Sequence, residues 1–407
     1  MNNIPLSRDE LRVVTILSGL VLLGLLGTDI HLSALPEMMR LMHTTQRLMQ
    51  YSISLFLFGI GLSSLFYGPL SDKFGRKPVI LVGLVTAIAG NLWGATLSEL
   101  GPFLTARFIQ GVGSGVCLAL SRIVLSDIVQ GDRYAIASSY ITLFTGLSIV
   151  LGPVVGSFIL AWFGWQANFI AMALMLGVIF VVYLWFCPET NKYQNRAIHL
   201  YDIINNYKFV LRNKTFITAT VLAGIGMACF MMYIAVSPFV LQQQFGLSPT
   251  RYGWVTAFIG AGLFVSRLLL PRIIHRYGMS TVIYAGLIIL LVCGLSLLAL
   301  LKFGYLSALS FLLSVSCVLF SYTFIVLCAS AISMTPFTDK RGAAGAIYSC
   351  SQMALAFVVN SFVSLLSTNA VLLLGVTYIV LPLLGLYIIH QVQSKPAHAA
   401  AAANSND

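Results

Sequence analysis

Twelve stretches of this 407-residue chain are each long and apolar enough to cross a bilayer, and their recurrence limits the possible folds more than any other feature. A span needs about 20 mostly apolar residues. Inside lipid no water is available to backbone N–H and C=O groups, so a continuous apolar run of that length must close its hydrogen bonds within itself, as a helix. The runs cover residues 13–35, 48–68, 79–97, 103–126, 135–161, 167–186, 216–241, 252–270, 281–301, 306–334, 343–366 and 371–389. The expected fold class is therefore an all-α polytopic membrane protein. Arg8 and Arg12 precede the first run, but that run is too long for a signal-peptide core and lacks a clear small-residue cleavage site, so it is expected to stay as the first span.

Charge gives the orientation. Only 9% of residues are charged, against about 25% in soluble chains. The net charge of +11 sits in short clusters between apolar runs, not on one amphipathic face, so it does not point to nucleic acid. With the N-terminus inside, sixteen of the 23 Lys and Arg fall in inner segments and four (Arg40, Arg47, Arg251, Lys302) in outer ones. Arg107, Arg122 and Arg267 lie inside helices. The bias predicts that both termini are cytoplasmic. The longest polar interruption, 188–215, divides the chain into an N-terminal bundle (1–187), a cytoplasmic linker and a C-terminal bundle (216–392); the Ala-rich remainder, 393–407, is expected to be a disordered cytoplasmic tail. Arg276-Tyr277-Gly278 repeats Lys73-Phe74-Gly75 at about half the chain length, with His275 at the place of Asp72 and Pro271 at that of Gly68. The seven cysteines are scattered singly, with no CxxC pair or metal spacing, and read as apolar filler. No metal or cofactor is expected.

Between the second and third runs stands Gly68-Pro69-Leu70-Ser71-Asp72-Lys73-Phe74-Gly75-Arg76-Lys77-Pro78, whose glycines, prolines and charges predict a short, tightly turned loop at the membrane surface. It resembles, nearly letter for letter, the loop signature of major facilitator superfamily transporters. The resemblance implies two pseudo-symmetric six-helix bundles, alternating access and a monomer. It also implies an inner gate in which Arg76 pairs with Asp127 at the end of the fourth span, while Asp72 accepts hydrogen bonds at the start of the eleventh, near Asp339-Lys340-Arg341-Gly342.

Three spans carry further polar or small-residue patterns. In the fifth, Ser148, Gly152 and Gly156 are four apart and form a stripe on which another helix can approach closely, with Pro153 bending the span beside it. Gly146, Gly152, Pro153 and Gly156 resemble the glycine-proline signature of proton-driven antiporters in the superfamily. The fourth span sets Arg107, Gln110, Gly111 and Ser114 on one face. That arginine motif is associated in the family with proton transfer; Arg107 itself holds its proton, so it either tunes a nearby acid, holds substrate, or snorkels to the outer interface. In the first span, Thr28-Asp29-Ile30-His31-Leu32-Ser33-Ala34-Leu35-Pro36 resembles the Bcr/CflA-type multidrug exporters, with His31 where an aromatic is common. Of the twelve acids, only Asp29 lies well within an apolar run, and it is the candidate proton-coupling residue, with Arg107 beside it. His31, Gln110, Ser114, Tyr233, Gln352 and Asn360 are candidate cavity residues, although Tyr233 is equally an interfacial anchor.

These features favour a proton-coupled antiporter exporting small organic molecules, embedded in the lipid of the inner membrane. A proton-coupled symporter importing a nutrient is the alternative, which the fifth-span signature argues against. A membrane-embedded lipid-modifying enzyme would need a clustered catalytic set, and the six histidines form no HExxH or Ser-His-Asp pattern. GxxxxGK[ST] is absent, so ATP is not the energy source. The topology is checked by cysteines placed at 192–214 in a cysteine-free background. Membrane-impermeant reagents are expected to label them only after the inner face is exposed, and labelling in intact cells would contradict the orientation.

Overall fold

The computed structural model describes residues 6–130, 132–191, 200–337, 340–366 and 369–403. Among these, twelve helical segments are long and apolar enough to span a membrane: Arg8–Leu41, Gln46–Phe74, Arg76–Ala95, Leu100–Ile128, Ile136–Phe163, Trp165–Phe186, Lys214–Gln244, Pro249–Tyr277, Met279–Lys302, Ala308–Met334, Arg341–Val363 and Ala370–Gln391. Each apolar run of the sequence falls in one of them, overrunning its ends by no more than three residues. Several helices outrun their apolar core by one or two turns, because helix formation continues into the polar flanks wherever a cap satisfies the end. Ser7, for example, opens the first helix in a reciprocal capping box with Glu10.

Spans 1–6 and 7–12 form two bundles. In the first, span 1 packs on spans 4, 5 and 6, and spans 2 and 3 pack on span 4; in the second, spans 10, 11 and 12 surround span 7, and span 9 lies against 10 and 12. The bundles meet along two seams, span 2 on span 11 and span 5 on span 8. Away from the linker the two bundles are closed on each other by side chains on backbone carbonyls: Gln50 Nε2 of span 2 donates to Ala235 O of span 7 (3.2 Å), Gln242 Nε2 of span 7 to Ser33 O of span 1 (3.1 Å) and Tyr51 Oη of span 2 to Ser361 O of span 11 (3.4 Å). On the linker side the bundles part around a cleft of about 510 Å³ between Gly68, Pro69 and Asp72 of span 2 and Gly342, Ala343 and Ala346 of span 11.

Four local features differ from the sequence expectation. The signature 68–78 is hardly a loop: span 2 stays helical through Phe74, span 3 begins at Arg76, and the whole turn is Gly75 at φ +99°. Pro69 is carried inside the helix because the carbonyl it cannot donate to, that of Leu65, accepts the Tyr207 hydroxyl at 2.7 Å. Tyr207 belongs to a linker helix, Leu200–Leu211, within the stretch read as a plain interruption. Span 1 is broken: its first helix stops at Asp29, a 3-10 turn covers Leu32–Ala34, and a short helix with Pro36 in its first turn runs Leu35–Leu41. The backbone of the last helix extends to Ala403, into the expected tail, as the high helix propensity of its alanines favours.

Candidate functional site

The turn at Gly75 places the Arg76 guanidinium at the centre of a polar cluster. Its Nη1 donates to Asp72 Oδ1 (2.5 Å) and Ser71 Oγ (2.7 Å), and its Nε to Asp127 Oδ2 (3.2 Å). The arginine is nearly enclosed, whereas the Asp72 side chain is 56% exposed and that of Asp127 25%, so the Asp127 contact is the less screened and the stronger brace between the turn and span 4. A group missed in the sequence completes the cluster. Glu189, just past span 6, accepts the backbone N–H groups of Arg76 (2.9 Å) and Lys77 (3.0 Å), closing the open N-terminus of span 3 with a negative charge. Thr190 Oγ1 donates to Asp127 (3.2 Å), and Asn191 Nδ2 to the carbonyls of Ser71 (3.1 Å) and Asp72 (2.9 Å). The only signal available was that Pro188-Glu189-Thr190-Asn191 abruptly ends an apolar run.

The expected contact from Asp72 to span 11 is not made in this conformation, because the cleft separates them; Asp339 lies outside the described residues. A Cβ added at Gly68 on one lip, or at Gly342 and Gly345 on the other, would meet nothing within 4 Å. In the second bundle Gly278, φ +78°, repeats the one-glycine turn between spans 8 and 9. Without an acid at His275, Arg276 lies over the Tyr277 ring at 5.3 Å, and no ion pair forms there among the described residues.

The fifth-span stripe meets span 1 where that span breaks. A Cβ at Gly152 would collide with Asp29, and one at Gly156 with the carbonyl of Ile30. These glycines therefore let the Asp29 turn seat directly on span 5. The rest of the signature faces the other bundle: Gly146 lies against Phe264 and Arg267 of span 8, and the Pro153 carbonyl against Gly253. Asp29 is 6% exposed, and no group among the described residues donates a hydrogen bond to it or pairs with it. It lies close enough to Tyr252 of span 8 to act electrostatically on that hydroxyl, and Tyr252 in turn shares a hydrogen bond with Ser237 of span 7 (3.2 Å).

Arg107 is 1% exposed and neither snorkels nor pairs with Asp29. Both its terminal nitrogens donate to Gly27 O (3.3 Å each), its Nε donates to Ser52 O (3.2 Å), Nη1 also donates to Gln110 Oε1 (2.5 Å), and the guanidinium lies 4.3 Å from the Phe56 ring centroid. The span 1 break explains this arrangement. Once the helix stops at Asp29, Gly27 O has no backbone donor, and Arg107 supplies one together with a positive charge at the negative end of the helix dipole. It acts as a helix cap, holding the segment from which Asp29 projects.

The candidate cavity residues scatter. Gln110 donates to Gly90 O of span 3 (2.9 Å), and Ser114 lies beside Gly24 of span 1. That face of span 4 thus looks into the first bundle and not between the bundles. His31 is fully buried against the Phe169 ring (5.8 Å), with neither nitrogen hydrogen-bonded. Tyr233 is buried with an unpartnered hydroxyl near Tyr252, which corrects its reading as an interfacial anchor. Gln352 and Asn360 are on span 11; Asn360 borders the shut seam together with Gln50, Tyr51 and Met232.

Comparison with known proteins agrees with this architecture. Over residues 17–360 the chain matches the Major Facilitator Superfamily model. It is 26% identical over 355 residues to the multidrug resistance protein MdtL of Shewanella sp. (strain ANA-3), covering 87% of this chain and 88% of that one. To the bicyclomycin resistance protein homolog of Haemophilus influenzae it is 25% identical over 282 residues, 69% and 71% of the two chains. Its fold is similar to the partially occluded inward-open form of the xylose transporter XylE from E. coli, with a TM-score of 0.72 at 14% identity over 93% of this chain and 97% of that one. The chain belongs to the Major Facilitator Superfamily, and the relatives it matches are named as multidrug and bicyclomycin resistance proteins.

Proposed function

We propose that this protein is a proton-coupled exporter of small organic molecules that works by alternating access, with Asp29 as the proton carrier. It is a multi-pass membrane protein; the reading sets it in the inner membrane as a monomer, with the linker side and both termini in the cytoplasm. Residues 1–187 and 216–392 are then the moving bundles, joined by 188–215.

The observation that carries this reading is the seat of Asp29. An ionised carboxylate at that depth costs about 2.5–3.5 kcal/mol on insertion scales, and no partner among the described residues offsets it. The break in span 1 sets it on the antiporter stripe, beside the seam where span 5 meets span 8. Relative motion of the bundles therefore changes its surroundings. Facing outward it gains a proton; facing the cytoplasm, with substrate in the path, it loses one. Arg107 acts through Asp29 by fixing the turn, as a positioning residue. The cluster of Arg76, Asp72 and Asp127 serves as the cytoplasmic gate, standing open here; Arg76 holds Asp72 through Oδ1, and the other carboxylate oxygen meets span 11 when the cleft closes. The names of the relatives, multidrug and bicyclomycin resistance, support export of drug-like molecules.

One carboxylate per cycle gives one proton per substrate, so exchange against a neutral compound gains about 2.3 kcal/mol per 100 mV of membrane potential. In vesicles with an imposed pH gradient, Asp29→Asn is expected to retain substrate binding but lose uphill export and its pH dependence; undiminished uphill export would falsify the assignment. Arg76→Ala and Asp72→Asn each remove charge-assisted contacts worth roughly 1.5–3 kcal/mol. Transport is expected to fall about tenfold or more at normal membrane abundance, and normal rates in both variants would reject the gate. Gly156→Leu forces a side chain into the Ile30 carbonyl and is expected to block the cycle; a wild-type rate would mean that spans 1 and 5 need no close contact.

A further inference from the structure

Two of the three arginines inside spans play no part in this scheme. Arg107 is fully capped by carbonyls and Gln110, but Arg122 of span 4 and Arg267 of span 8 have no carboxylate within 4.0 Å among the described residues. Arg122 is exposed and one helical turn deeper than Ser126, which lines the cytoplasmic cleft with Ile123. At a rise of 1.5 Å per residue it sits about 9 Å inside the linker-side end of its helix at Ile128, and Arg267 about 15 Å inside its own end at Tyr277. Arg122 faces the opposite bundle, close enough to act electrostatically on the Tyr348 hydroxyl of span 11.

Arg267 is half-buried beside Gly146 of the facing bundle. It donates Nη1 to Thr142 O (3.2 Å), while its Nε is shielded without a partner. Its charge also acts on Tyr322 of span 10, whose ring stacks on Phe230 of span 7 at 4.5 Å. One unneutralised guanidinium therefore projects from each bundle, at neighbouring depths, among aromatic rings. The one deeply placed acid, Asp29, lies against span 5 and pairs with neither arginine, at the cleft mouth Asp72 and Asp127 are already held by Arg76, and Asp202 of the linker helix, which also lines the cleft, is within 4.0 Å of neither arginine. Charged groups inside a membrane protein face a partner or a path for one, and no described side chain is that partner.

We propose that Arg122 and Arg267 form a two-sided anion site on the cytoplasmic half of the path between the bundles, and that the exported molecule is an organic anion. Its carboxylate, sulfonate or phosphate group lies between the two guanidinium groups, and its aromatic or apolar body lies against Tyr322, Tyr348 and Phe230. The proposal rests on the transporter reading and adds the charge of the substrate. Export of a monoanion against an entering proton moves two charges per cycle, so the membrane potential drives it more strongly than it drives a neutral substrate.

The test is binding to the detergent-purified full chain, read by fluorescence anisotropy of fluorescein, an anion at neutral pH, against ethidium, a cation of similar size. No gradient is present, so failure of proton coupling leaves this result untouched. Fluorescein is expected to bind saturably and more tightly than ethidium, with an affinity that falls as salt is raised. Arg122→Gln and Arg267→Gln are each expected to weaken it about tenfold or more, while Arg122→Lys and Arg267→Lys, which keep the charge, retain most of the affinity. Tighter binding of ethidium, absence of saturable fluorescein binding, or unchanged affinity in both Gln variants would overturn the site. Equal losses in the Lys and Gln variants would also overturn it, by tracing the effect to packing.

Discussion

Every backbone donor and acceptor in the bilayer core must find a partner within the protein, and the features of this molecule that bear on transport are the places where a regular helix does not provide one. Pro69 leaves the carbonyl of Leu65 open, and the linker helix answers with Tyr207. Span 1 breaks at Asp29, and Arg107 answers at Gly27. Span 3 begins with free amides at Arg76 and Lys77, and Glu189 answers from beyond span 6. Each answer ties together segments distant in the chain, so backbone satisfaction and the wiring of the site are the same set of contacts.

The wiring is concentrated in the first bundle. The two halves share the one-glycine turn, Gly75 and Gly278, both with positive φ, and that backbone likeness is what a duplicated architecture preserves. The charges are not duplicated: among the described residues the ion pairs, the stripe that seats Asp29 and the capped arginine all belong to the first bundle. The second bundle contributes seams, aromatic rings and Arg267. This division fits a mechanism in which one half holds the proton and the gate while the other moves against it.

Conformation follows from where the seams are tight. On the side away from the linker, glutamine and tyrosine side chains bridge to opposing carbonyls, whereas glycines on both lips of the linker-side cleft face open space. The access described is therefore from the linker side, and the distance of Asp72 from span 11 is a property of that state. Closing the cleft requires spans 2 and 11 to approach at Gly68 and Gly342, where no side chain stands in the way.

The sequence by itself determined the twelve spans, the central linker and the closeness of a partner helix to Gly152 and Gly156, while the pairing of Arg76 with Asp127 was legible only through the resemblance of the 68–78 signature to a known family. The spans and the stripe follow from local rules: an apolar run of sufficient length must be a helix in lipid, and a small-residue stripe admits a neighbour. Which helix that neighbour is, and that it presents Asp29, was decided only by tertiary packing. So was the direction in which a polar helix face looks. Residues 107, 110 and 114 were legible as one face of span 4, but the sequence does not record whether that face meets the path between the bundles or the interior of one of them. The same limit hid Glu189 and Tyr207, ordinary polar residues in a linker, whose roles exist only because the fold carries them to an unfilled amide and an unfilled carbonyl more than a hundred residues away.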